Sequence, residues 1–188
     1  MTSAMTSITR DPLLAIAKGI LWFLMAVMLL GGVASLCGIA FMHVFQHNMT
    51  LELAKDVPQV PMPAFLWAAT AILACVIGLM AILFRMFQLL KRIVDTVGQG
   101  DPFVPENAGR LTRMAWLTLA VQVVTLPIEG IAHWIDKVVG DSPKVHTNIG
   151  AIDIGFSSNG LLLMLILFIL ARVFRQGAAM RAELEGTV

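Results

Sequence analysis

Charge is scarce in this chain. Asp, Glu, Lys and Arg make up 13% of its 188 residues, where a soluble domain carries about 25%. A surface that poor in charge excludes a fold lying mostly in water. The formal net charge of +1 also supplies no basic face for direct nucleic-acid binding. Cysteine is nearly absent: Cys37 and Cys75 each fall inside an apolar run, which reads as small side chains at helix contacts rather than a disulfide or a metal pair. Chemical motifs are missing as well. There is no His-Glu-x-x-His, no Ser-His-Asp or Cys-His arrangement, and the glycines around Asp101 lack the strand and the Lys-Ser pair of a phosphate loop. No enzyme activity, cofactor or resident metal is expected. No repeat, low-complexity tract or linker divides the chain, so one domain over 1–188 is expected.

Apolar length is what the chain has in abundance, with 58% hydrophobic residues. Two runs, Ala64 to Leu83 and Met114 to Ala132, flank a polar connection from Gly98 to Asn107. Each is about 20 residues, about 30 Å as helix, the thickness of a bilayer's hydrocarbon core. Arg85, Lys91 and Arg92 precede the connection and Arg110 and Arg113 follow it. Basic residues at span ends favour the cytoplasm, so the connection is placed there. The run Ile20 to Phe45 is too long for the apolar part of a cleaved signal. Asp11-Pro12 ahead of it has the form of a helix N-cap and first position. A fourth run begins at Leu161 and meets the interface at Arg172.

The expectation is an all-α membrane protein, a four-helix transmembrane bundle in the lipid bilayer, with spans at about 20-45, 64-84, 114-135 and 160-172 and helical extensions into the cytoplasm. Only Lys55, Lys137 and Lys144 of the thirteen basic residues fall outside, and the other ten fall inside. Both termini are therefore read as cytoplasmic, in a multi-pass protein. Trp22, Trp67, Trp116 and Trp134 lie near span ends as an ordinary aromatic belt.

Within the first span Gly31, Gly32, Ala34, Ser35 and Gly38 form a small-residue strip, with Ala74 and Gly78 as a matching surface on the second. Such strips let helix backbones approach closely in lipid. The second helix is expected to continue to about Val97, stopped by Gly98, Gly100 and Pro102. The third runs from near Asn107 to about Val139, with a kink at Pro127. Outside the membrane, Met49 to Leu53 and Ala151 to Phe156 alternate with period two, which predicts a small external β cap.

Glu129 is the unusual residue, an acid inside the third apolar run. An ionised carboxylate in lipid costs several kcal/mol unless paired or wet. Two readings stay open: a proton- or cation-linked site beside Pro127, or an interfacial acid with His133 and Asp136 one and two turns on. A transport role needs more than four helices offer one pathway, hence a homo-oligomer. His43 and His47 share a helix face. With Glu129, His133 or Asp136 they have the ligand types of an external metal site; the alternative is interfacial histidines bonded to backbone or water.

Two stretches carry a resemblance. Gly100-Asp-Pro-Phe-Val-Pro-Glu-Asn-Ala-Gly-Arg-Leu-Thr-Arg-Met-Ala-Trp116 is similar to the signature connection of the bacterial membrane family called domain of unknown function 2975, and the segment Arg172 to Val188 resembles that family's closing segment. The resemblance implies a bacterial inner-membrane protein encoded, in many members, beside a small helix-turn-helix regulator of the Cro type. The residues themselves suggest where such a partner docks. Asp101, Pro102, Phe103 and Asn107 in the connection and Arg172, Phe174, Arg175 and Gly177 in the tail lie on one cytoplasmic face. The expected function is that of a sensor or anchor for this partner. The alternative is a small ion- or proton-coupled transport protein using Glu129.

Overall fold

The structure is a computed structural model and describes residues 12–48, 50, 61–139 and 157–185. Four long helices account for nearly all of them: α1 Pro12–Val44, α2 Met62–Gly98, α3 Pro105–Val139 and α4 Ser158–Glu185. Local sequence sets their ends. α2 follows Pro61, held at φ −68° and ψ 94°, and carries Pro63 in its first turn, where a missing N–H is harmless. It closes in a Schellman motif: the Gly100 N–H bonds the Val97 carbonyl at 3.0 Å and the Asp101 N–H the Thr96 carbonyl at 3.1 Å. Gly100 makes this possible, because its φ of 84° lies in the left-handed region. α4 starts where the Ser157 hydroxyl accepts from the Asn159 N–H at 3.2 Å. α3 runs unbroken through Pro127, whose ring sits on an exposed side of the helix.

The helices pack in chain order. Among the described residues, the pairs whose backbones come close are α1 with α2, α2 with α3, and α3 with α4. α1 lies antiparallel on α2 in one register along its length. Lys18 meets Asp95 at 2.7 Å, Lys91 stands 4.4 Å above the Trp22 ring centroid, and the His43 and Trp67 rings meet edge-on at 5.9 Å. The small-residue strip faces this contact. A Cβ on Gly31 would lie 3.4 Å from Met80 Sδ and one on Gly38 would lie 3.7 Å from Leu73 Cδ1. The expected matching surface is different, however. Ala74 is exposed and a Cβ on Gly78 would meet nothing within 4 Å, because α2 is rotated so that the larger Leu73 and Met80 fill the gap over the strip.

All four helices are long and apolar enough to cross a bilayer. α1 buries only Leu21 and Met25, leaving residues such as Phe23 and Leu30 two-thirds exposed. In lipid that surface meets a solvent as apolar as itself. The four tryptophans are at least one-third exposed, and eighteen residues separate Trp116 from Trp134 and Trp67 from Arg85. Eighteen residues of helix span about 27 Å, close to the ~30 Å of hydrocarbon. On that scale α2 and α4 overrun the slab at the basic end by about 20 Å each. The main core sits at this end, where Ile93 of α2, Leu111, Met114 and Ala115 of α3, and Leu167 and Ala171 of α4 are buried together. A smaller cluster at the opposite end packs Ile135 against Met62, Phe65, Ala68 and Ile72.

The β cap expected from Met49 to Leu53 and Ala151 to Phe156 falls almost wholly outside the described residues. Among the described residues there is no strand.

Candidate functional site

At the basic end, the connection between α2 and α3 is stitched from both sides. Asn107, fully buried, donates from Nδ2 to Thr96 Oγ1 at 2.8 Å and to the Pro102 carbonyl at 2.9 Å. Its Oδ1 accepts from Arg110 at 2.7 Å, and Arg110 also reaches the Arg92 carbonyl at 3.2 Å. One side chain thus ties the last turn of α2, the connection and the first turn of α3.

The connection is in turn fastened to the tail of α4. The Phe103 and Phe174 rings lie 5.4 Å apart, Phe103 rests on Gly177, and Asp101 forms an ion pair with Arg181. Phe174, Gly177 and Arg181 follow a three- and four-residue spacing, which puts them on one face of α4. Of the candidate docking residues, then, Phe103, Phe174 and Gly177 are engaged with each other, Asp101 pairs with Arg181 of the same tail, and Asn107 and Pro102 belong to the clamp beneath them. Arg172 and Arg175 are exposed beside a groove of about 620 Å³ between α3 and α4, lined also by Thr112, Phe168 and Gln176.

The opposite end does not gather its five candidate residues. His43 lies on the α1–α2 contact, its Nε2 3.4 Å from Thr70 Oγ1. His43 and His47 line a groove of about 350 Å³ with Gln46, Pro63, Leu66 and Trp67. Glu129, His133 and Asp136 belong to α3, which has no close backbone contact with α1 among the described residues. Glu129 Oε1 stands 3.9 Å from His133 Nε2, and its side chain is one-third exposed. The two sets are held apart by α2, and no group of three metal-ligating side chains forms among the described residues.

Sequence reasoning missed the polar join of α3 to α4. Gln122, buried in the span, donates from Nε2 to the Ser157 carbonyl at 2.7 Å and accepts from the Ser157 N–H at 3.5 Å. Gly160 leaves room for it: a Cβ there would stand 2.3 Å from Gln122 Nε2. The available signal was a glutamine amid apolar residues and a glycine in the first turn of the helix that returns. Thr118 and Thr125, buried on the same face, bond carbonyls of their own helix at 3.0 and 2.8 Å.

Four apolar helices of spanning length, an exposed apolar perimeter and a polar stitch at one end define a multi-pass membrane protein. Its family follows from the sequence: residues 13–188 match the family described as Protein of unknown function (DUF2975), and the chain belongs to it. No curated protein and no solved structure matches this chain.

Proposed function

We propose that the protein is a bacterial inner-membrane anchor or sensor, with both termini in the cytoplasm, for a cytoplasmic partner such as a small helix-turn-helix regulator. The observation that carries this reading is the solvent exposure of Val173 and Met180 on the side of the α4 tail away from the connection. The tail's Phe174–Gly177 face is occupied by the connection, while Val173, Met180 and Leu184 are 53%, 57% and 73% exposed. Val173 sits at the interface beside Arg172, and Met180 and Leu184 lie about 12 and 18 Å of helix further on, past the roughly 5–8 Å polar layer of the bilayer. Their spacing of seven and four residues is that of an apolar ridge that a partner helix covers. Arg172 and Arg175 beside it favour a partner with acidic residues at the rim. The resemblance supplies the regulator as the candidate.

The test is recovery from native membranes. Intact protein should co-purify with a DNA-binding protein, and Met180→Asp with Leu184→Asp, which leave the Phe103 contact alone, should abolish the recovery. The reading fails if no DNA-binding protein accompanies the intact chain, or if the double variant retains it.

A second reading, ion- or proton-coupled transport through Glu129, draws support from one observation. Thr118, Gln122, Thr125 and Glu129 follow one face of α3, the first three of them buried. Proton flux in proteoliposomes that Glu129→Gln leaves unchanged would eliminate it.

A further inference from the structure

The groove between α1 and α2 at the basic end, about 330 Å³, changes character along its length. Its membrane-side wall is Met25, Ala26, Leu29 and Phe84, and its other end carries Lys91 and Arg92. Trp22 stands at the junction, 59% exposed, with Lys91 Nζ 4.4 Å from its ring centroid. The bordering carboxylate, Asp95, is held by Lys18 of α1 at 2.7 Å. It therefore does not offset Lys91 and Arg92, and among the described residues no carboxylate pairs with either. Depth agrees with this division. Lys91 is six residues past Arg85, about 9 Å of helix, just past the outer edge of the polar layer that extends roughly 5–8 Å beyond the hydrocarbon, within reach of a lysine side chain. Two cations without a carboxylate partner thus stand at the outer edge of the headgroup layer, above an apolar channel that opens to lipid.

We propose that this groove binds an anionic phospholipid, its phosphate against Lys91 and Arg92 and one acyl chain along Met25, Ala26, Leu29 and Phe84. Basic pockets between membrane helices recognise anionic headgroups in this way. The occupant is a lipid rather than a free anion because the cations and the apolar wall form one continuous surface.

Native mass spectrometry of the full chain in neutral detergent tests this, with dioleoyl phosphatidylglycerol, dioleoyl phosphatidylcholine and inorganic phosphate as probes. Phosphatidylglycerol should bind at least about tenfold more tightly than phosphatidylcholine, and an excess of inorganic phosphate should not displace it. Neutralising each cation is expected to weaken binding about fivefold, so Lys91→Gln with Arg92→Gln loses about 25-fold. Ala26→Phe keeps both cations but fills the channel, and should also lose the lipid. Arg113→Gln, on the exposed side of α3, should bind as the parent does. If the double variant no longer elutes as a monodisperse protein, Ala26→Phe decides. The proposal is overturned by equal affinity for phosphatidylcholine, by displacement with inorganic phosphate, or by full retention of phosphatidylglycerol in the variants.

Discussion

The ring of Phe103 occupies the space that a Cβ on Gly177 would need, with Cδ1 2.7 Å and Cε1 2.9 Å from that position. A glycine in mid-helix normally weakens it by about 1 kcal/mol relative to alanine. Here the deficit makes room for the connection on the tail. Gly177→Ala should come out near neutral or slightly destabilising, because the helix gain opposes overpacking of about 1–3 kcal/mol. Gly177→Leu has no comparable compensation and should lower the unfolding temperature in detergent by several degrees. Equal melting of Gly177→Leu and the parent would mean that Phe103 is not held there.

The contact of α1 with α2 yields a paired prediction. Gly31 faces Met80, whereas a Cβ on neighbouring Gly32 would meet nothing within 4 Å. Gly31→Leu should pry the helices apart and destabilise by about 1–3 kcal/mol. Gly32→Leu projects into open space and should stay within about 0.5 kcal/mol of the parent. The measurement is thermal unfolding of both variants in one detergent, and indistinguishable transitions would refute the interface.

Orientation is open to direct chemical test. The basic end should be cytoplasmic, so a cysteine at Gln99 should resist a membrane-impermeant maleimide in intact cells. One at Asp141 should react. Labelling at Gln99 without permeabilisation reverses the topology.

The parts that the sequence makes legible are those governed by periodicity and solvent. Lipid demands long apolar helices, so their number, their Gly and Pro stops and the strip at Gly31, Ser35 and Gly38 can be read directly. What periodicity does not give is the rotation of the facing helix. Leu73 and Met80 meet the strip, although Ala74 and Gly78 have the smaller side chains. The same limit governs the candidate sites. Spacing puts His43 and His47 on one face of an expected helix, although α1 ends at Val44 before His47, and Glu129 and His133 on one face of α3, but only the packing order decides that α2 stands between the two sets. The tail residues Phe174 and Gly177 read as a free docking face, because nothing local reveals that Phe103, seventy-four residues before Gly177, is their partner.

Gln122 and Gly160 should behave as one unit. Gly160→Ala forces the Gln122 amide off Ser157. Gln122→Ala removes the same bonds, a loss of about 1–2 kcal/mol for each single change before the helix gain at position 160 is counted. In the double variant the clash has no target, so the effects should fall well short of additive, with coupling of about 1 kcal/mol. Strict additivity in a thermodynamic cycle would mean that the two positions do not share this contact.

The Asn107 clamp makes the most specific demand on stability. Its two donated bonds and one accepted bond leave every polar atom of the buried amide satisfied. Asn107→Leu strands the Pro102 carbonyl and removes one of Arg110's two acceptors. A buried group left unsatisfied costs about 1–3 kcal/mol, so a total loss of about 2–4 kcal/mol is expected. Thr96→Val is milder. It removes one acceptor while Nδ2 keeps Pro102, and about 1 kcal/mol is the expected effect. The difference should be local as well as global. With the clamp gone, the connection should open before the spans unfold and expose the bond after Phe103 to chymotrypsin, while Thr96→Val should remain protected. If Asn107→Leu resists cleavage there as long as the parent does, other contacts hold the connection. Phe103 on Gly177 and Asp101 with Arg181 would then be the ones to remove next.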